Sequence, residues 1–185
     1  MTAAPTVRPS LVNGPTGRSG AAPPHIQIVV PHAATRFLVA VADVGEEVFT
    51  RPPWREPYPA ARGVAARLLA DSRRPGFVLA LAFGGEELYG FAYGVRCSHL
   101  ARLTCHDKPG PDFTLKELAV LPQRHGLGLG AALHDAVLTR AAPGTRWLTT
   151  HTRAAAALGL YRARGWRAVA LAGGERLIMS RRDSR

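Results

Sequence analysis

The sequence predicts a mixed α/β fold, a mostly antiparallel sheet with flanking helices, and three observations carry that reading. An apolar, β-branched run from Phe113 to Val120 closes at Pro122 into glycines at alternate positions and then into an uninterrupted helical pattern. Two apolar runs, Phe77 to Phe83 and Leu88 to Val95, flank Gly84-Gly85-Glu86-Glu87, a hairpin signature. Two helical patterns stand ahead of both. At 185 residues, 46% of them hydrophobic, the chain fits one domain that buries about two-thirds of its unfolded surface.

Each element follows from its local pattern. Residues 1–24 are rich in Ala, Pro, Gly, Ser and Thr, which cannot offset the entropy of ordering, so they read as a disordered tail ahead of a domain spanning 25–185. Ile26 to Val30 is a first strand. From Ala33 to Val48 the residues Phe37, Val41 and Val44 follow helical spacing, and Pro52-Pro53 stops the pattern. Tyr58 to Ser72, carrying Val64, Leu68 and Leu69, reads as one second helix. The connecting segment Phe49 to Glu56 is stiffened by its prolines, and its Trp54 either plugs the edge of the core or touches a substrate. His99 to Asp112 reads as a polar loop. Beyond the glycines, Leu129, Leu133 and Val137 mark a helix, Arg146 to Thr150 a buried strand, and Ala154 to Arg164 another helix. Gly165 suits a left-handed helix cap, with Trp166 folding back onto the last turn. Short strands around Arg167 to Leu171 and Arg176 to Ser180 flank Gly173-Gly174 and close the chain.

Chemistry concentrates at Gly126-Leu127-Gly128-Leu129-Gly130. Glycines let the backbone turn tightly and approach a ligand closely, while the first N–H groups of the following helix have no intrahelical partner and suit a phosphate. A Walker loop needs Gly-Lys-Ser/Thr at its end, yet the only lysines are Lys108 and Lys116, both upstream. Gly126, Gly128 and Ala131 fit the dinucleotide fingerprint, but the acidic residue it requires about twenty positions on is missing, since no Asp or Glu lies between Asp135 and Glu175.

The run Leu118-Ala119-Val120-Leu121-Pro122 followed by His125-Gly126-Leu127-Gly128-Leu129-Gly130 resembles the acetyl-CoA motif of the GNAT superfamily of N-acetyltransferases. Downstream, Leu160-Tyr161-Arg162-Ala163-Arg164-Gly165-Trp166 is similar to that family's Leu-Tyr-x-x-x-Gly-Phe/Trp. The resemblance covers roughly His25 to the C-terminus. It departs at His125, which stands where the family usually has Arg or Gln unless the register shifts to Gln123-x-x-Gly126, and at Ala154, where an Asn often precedes the Tyr.

The resemblance implies the GNAT (acyl-CoA N-acyltransferase) fold and acetyl transfer from acetyl-CoA, as co-substrate, to a primary amine. It implies that Leu118, Ala119 and Val120 pair with the pantetheine arm, in a gap between parallel strands holding Val120 and Thr149. His125, Gly126 and Leu127, then Gly128, Leu129, Gly130 and Ala131, surround the pyrophosphate. Transfer to an amine needs a base, an oxyanion donor and an acid for the thiolate. Glu117 is the first choice of base, against an ordinary carboxylate paired with an arginine; His151, an imidazole suited to base work, is the second. Tyr161 is the acid or thiol contact, against a core tyrosine sharing a face with Ala157 and Leu158. Backbone N–H groups near Val120 are the oxyanion donors, and Trp54 and His151 border the acceptor pocket.

Composition bounds the alternatives. A net charge of +11, nearly all from arginine, suits coenzyme A phosphates, an acidic partner or nucleic acid, but the arginines are scattered, so nucleic acid is not the expected partner. The acceptor is a small-molecule or peptide amine. Cys97, His99, Cys105 and His106 lie within ten residues without a knuckle spacing, and no metal is expected there. No run approaches the length of a membrane span and the first residues lack an apolar signal segment, so a cytoplasmic monomer or homodimer is expected. A basic nucleic-acid-binding protein and a catalytically silent acyl-CoA binder are the competing classes.

Overall fold

The computed structural model describes residues 23–104, 110 and 112–182. The expectations for the tail and for Cys105 and His106 fall outside these residues. Among the described residues seven strands form one sheet in the order β1-β2-β3-β4-β5-β7-β6. These are β1 (His25–Val29), β2 (Val78–Gly84), β3 (Glu87–Arg96), β4 (Phe113–Val120), β5 (Thr145–His151), β6 (Arg167–Ala172) and β7 (Arg176–Arg182). Every neighbouring pair is antiparallel except β4 and β5, as a mixed sheet requires. Gly85 turns the β2–β3 hairpin at φ 62°, where a side chain would be strained.

Helices cover both faces. On one, α1 (Leu38–Phe49) and α3 (Val64–Asp71) bury Val41, Val44, Val64 and Leu68 against Leu79, Leu81 and Phe91. On the other, α5 (Leu129–Arg140) and α6 (Ala155–Ala163) bury Leu133, Val137 and Leu158 against Ala80, Leu148 and Met179. Fully burying one such aliphatic side chain contributes about 1.5–3 kcal/mol, so these two layers fix the sheet between them.

Three sequence expectations need correction. The helix read from Ala33 begins as a 3₁₀ segment over Pro31–Phe37, with proline in its first turn, and becomes α-helical only at Leu38. The helix read over Tyr58 to Ser72 is two, α2 (Tyr58–Arg62) and α3, broken at Gly63. A Cβ there would lie 3.1 Å from the Pro59 and Ala60 carbonyl oxygens, and Arg67 Nη1–H donates to Ala60 O at 3.1 Å, so a helix carbonyl is satisfied from outside the ladder. The polar loop from His99 opens with a short helix, α4 (His99–Leu103), because Leu100 and Ala101 bury against Trp147 and Ile178.

Two irregularities position the site. β4 pairs with β5 only at Phe113/Arg146 and Thr114/Trp147, after which the two strands part. On its other side β4 carries a bulge: Tyr93 faces Glu117 while Gly94 faces Leu115, leaving Lys116 as the extra residue. Strand alternation would send Lys116 and Glu117 to opposite faces. With the bulge both meet the α3 side, where Lys116 Nζ lies 4.0 Å from Asp71 and Glu117 meets Arg67.

Candidate active site

Where β4 and β5 part, a cleft opens with two lobes that share Trp54, Leu118 and Ala157. The larger lobe, about 710 Å³, runs from β4 past the glycine loop to the start of α6. Its floor includes Leu118, Ala119 and Val120, and its far wall His125, Gly126 and Gly128 to Ala131. Leu127 is largely exposed beside them.

The sequence builds an anion cradle at that wall. Gly126 and Gly128 adopt φ 80° and 73°, and a Cβ at either would meet no protein atom within 4 Å. Internal packing therefore does not demand these glycines; the left-handed backbone does, and the space above them lies open. Gly128 caps α5, whose first hydrogen bond runs from Ala132 N–H to Gly128 O at 3.0 Å. The N–H groups of Gly128, Leu129, Gly130 and Ala131 make no hydrogen bond among the described residues, so the positive end of α5 faces the lobe with its donors unspent. Arg124 and Arg153 border the same lobe and add positive charge that the motif alone does not reveal. Thr150 is 1% exposed with its hydroxyl unpartnered among the described residues. Unspent donors at the glycine wall and a buried orphan hydroxyl lining the smaller lobe fit an extended, phosphate-bearing ligand.

The two registers of the loop separate in space. Gln123 Nε2–H donates to Glu47 Oε1 at 3.0 Å, away from this lobe, whereas His125 lines it. The His125 ring is held by the protein, with Nε2 3.0 Å from Val120 O, and so ties the end of β4 to the loop.

The smaller lobe, about 540 Å³, lies beyond the shared residues and holds Glu117 and Tyr161 together. Arg67 Nε–H donates to Glu117 Oε1 at 3.0 Å. Burial nevertheless holds the Glu117 pKa above the ordinary carboxylate range, with the Arg67 charge opposing. Tyr161 is 6% exposed, and its phenol pKa is raised, first by burial and then by the negative charge of Glu117. Trp54 packs edge-on to Phe49 at 6.0 Å at the rim of the core, and it also walls both lobes. His151 meets Trp54 edge-on at 6.0 Å, but both its nitrogens are engaged: Nδ1 accepts from Arg153 N–H at 3.1 Å and Nε2 lies 3.1 Å from Glu175 Oε2.

A buried polar lock, which sequence reading missed, holds α6 against α5. Trp166 Nε1–H donates to His134 Nε2 at 2.9 Å, so the imidazole proton sits on Nδ1 and is donated to Asp135 Oδ1 at 2.7 Å. Arg164 grips both oxygens of Asp135 at 2.7 and 2.9 Å and holds that carboxyl down at about 2. Tyr161 sits in ring contact with His134 at 6.1 Å and with Trp166 at 6.0 Å. The available signal was a histidine on the apolar stripe of α5.

Burial lowers the His134 pKa below 6.5; Asp135 opposes this, while Arg164 and Arg181 reinforce it. The unfolded chain therefore binds more protons than the native one as pH falls below that value. Stability from the neutral ring is present above the unfolded pKa and declines as pH drops through the folded one. The urea midpoint of the wild type is expected to fall as pH is lowered from 7 to 5, and His134→Gln to be flat across that window. A wild-type slope retained in the variant would assign the dependence to another group.

Residues 45–166 match the family model of the acetyltransferase (GNAT) family, and the chain belongs to that family. Solved structures that share the fold include the following three. PH1933 from Pyrococcus horikoshii OT3 has a TM-score of 0.64 at 19% identity, covering 87% of this chain and 100% of that one. The PaiA N-acetyltransferase from Thermoplasma acidophilum, solved in complex with coenzyme A, has a TM-score of 0.62 at 15% identity, with coverage of 86% and 99%. A ribosomal-protein alanine N-acetyltransferase from Escherichia coli has a TM-score of 0.57 at 19% identity, with coverage of 85% and 92%. Among curated proteins none matches the sequence significantly. Among the described residues there is no cluster of three metal-ligating side chains and no helix long and apolar enough to cross a membrane.

Proposed function

We propose that this protein transfers an acetyl group from acetyl-CoA to a primary amine, within a catalytic domain that spans residues 25–185. One observation supports this most: the gap between β4 and β5 joins unspent helix-end N–H groups at one end to a carboxylate and a phenol at the other. Acetyl-CoA supplies an activated acyl group as a thioester. The N–H groups of Gly128 to Ala131 hold its phosphates, and the β5-facing backbone of Leu118 to Val120, which has no strand beside it, holds the pantetheine amides. Arg124 and Arg153 add positive charge near the phosphates. A cytoplasmic setting and a monomer or homodimer belong to the same proposal.

The proton path runs through two side chains. Glu117, through a carboxylate oxygen, takes the proton of the incoming ammonium, and its raised pKa makes it a stronger base than an exposed carboxylate. The amine nitrogen then bonds to the acetyl carbon, N–H groups near Val120 steady the negative charge on the carbonyl oxygen, and the carbon–sulfur bond breaks. Tyr161 gives its hydroxyl proton to the departing thiolate, and the phenolate is reprotonated by the second proton that the attacking nitrogen sheds as it becomes an amide. The two residues are coupled, because the charge of Glu117 contributes to the high Tyr161 pKa. Protonating Glu117 removes that charge and makes Tyr161 a better acid when the thiolate forms. His151, with both nitrogens engaged, is the weaker choice of base.

The test is a pH–rate profile with any amine that turns over. In the wild type kcat/KM is expected to rise with pH through the Glu117 pKa, above the ordinary carboxylate range. Glu117→Gln is expected to lose about a hundredfold near pH 7 and to recover in part as the amine deprotonates by itself. A Gln variant with the wild-type rate and profile moves the base to His151 or to water.

A further inference from the structure

The smaller lobe has a charge pattern that bears on which amine it takes, and this inference rests on the acetyltransferase reading just given. Its charged side chains are Arg67, Lys116 and Arg176 against Glu56 and Glu117, three cations to two carboxylates. Arg67 is committed, since Nε serves Glu117 and Nη1 serves Ala60 O. Lys116 is shared with Asp71 at 4.0 Å. Arg176 differs from both. Its one ion pair among the described residues is a long one, 3.7 Å to Glu56, and its side chain is 53% exposed while Glu56 is 22% exposed. Glu56 thus steers a guanidinium that keeps donors to spare, and a guanidinium fork matches a carboxylate with two parallel hydrogen bonds.

The rest of the lobe agrees with that assignment. Phe49 and Trp54 supply an apolar wall next to the charged groups, and the volume of about 540 Å³ suits a small molecule. A polyamine would bring two or more positive charges to three cations, on a chain whose net charge is +11. A zwitterion brings one positive charge for the base and one negative charge for the fork.

We propose that the acceptor is a free amino acid with an apolar side chain, its amine at Glu117 and its carboxylate on Arg176. Arg176 is then a specificity residue for the carboxylate, with the side chain lying against Phe49 and Trp54.

The experiment compares leucine, leucinamide, isoamylamine and spermidine as acceptors, by thiol release, in the wild type and in Arg176→Gln. Acetyl-CoA binding by calorimetry is measured first on both proteins. Leucine is expected to exceed leucinamide and isoamylamine by about ten- to a hundredfold in kcat/KM, the size of a charge-assisted pair. Arg176→Gln is expected to erase that preference while leaving isoamylamine within about twofold, and calorimetry with N-acetylleucine is expected to show the same loss. Preference for spermidine or isoamylamine, or an Arg176→Gln loss shared equally by all four amines, overturns the proposal. So does acetyl-CoA binding with no turnover of any of the four, which leaves the cofactor reading standing. Absence of acetyl-CoA binding by the wild type removes the acetyltransferase reading and this proposal together.

Discussion

Tyr161→Phe is expected to lower turnover by about ten- to a thousandfold while leaving acetyl-CoA affinity nearly unchanged. The substitution is clean for physical reasons. The ring is buried and keeps its contacts with His134 at 6.1 Å and Trp166 at 6.0 Å, so packing survives. The phenol makes no hydrogen bond to any described residue, so its removal orphans no donor or acceptor in the protein, and stability is expected to shift by less than about 1 kcal/mol. What disappears is a proton held in the smaller lobe by a phenol that stays protonated throughout the working range, because burial and Glu117 both raise its pKa. Steady-state thiol release, calorimetry with acetyl-CoA and a urea melt separate the outcomes. Normal turnover with a small stability change would make Tyr161 a core residue and remove the general acid.

The parts of this architecture legible in the sequence are those written in local pattern. Phe113 to Leu138 declares strand, glycine loop and helix within one stretch, and the structure keeps that order with α5 starting at Leu129. The hairpin around Gly85 and the left-handed cap at Gly165, φ 78°, are likewise set by residues that only those backbone angles require. What escaped the sequence is long-range or depends on one residue of register. The Arg67–Glu117 pair joins elements fifty residues apart, and the His134–Trp166 bond spans thirty-two. Neither partner announces the other. The bulge at Lys116 left a trace, two consecutive polar residues between Leu115 and Leu118, but alternation alone does not tell a bulge from an exposed turn of strand. Arg176, far down the chain, enters the smaller lobe only because β7 lies beside β5, with Arg176 opposite His151.

The glycine loop permits a prediction that separates backbone strain from loss of a ligand's space. Gly128→Val is expected to weaken acetyl-CoA binding by about a hundredfold, the equivalent of losing one or two charge-assisted hydrogen bonds. At φ 73° a β-branched residue is strained by roughly 1–2 kcal/mol or more, yet it collides with nothing in the protein, since no atom lies within 4 Å of its Cβ. A fall in stability alone would therefore report strain, whereas a fall in affinity beyond it reports a side chain standing where the phosphates belong. Gly130→Val is the control for that distinction. Gly130 is helical, and its Cβ would lie 3.7 Å from Leu160 Cδ2, so the change adds bulk to the lobe without left-handed strain. His125→Ala removes only the tie to Val120 O and leaves the N–H groups of α5 in place, so its affinity loss is expected to stay below about tenfold. Calorimetric Kd values at fixed salt, each paired with a urea midpoint, decide the matter. Equal losses from all three well-folded variants would show that side chains rather than the backbone of α5 hold the phosphates. A large loss from both valines with a small one from His125→Ala is the pattern a helix-end cradle requires.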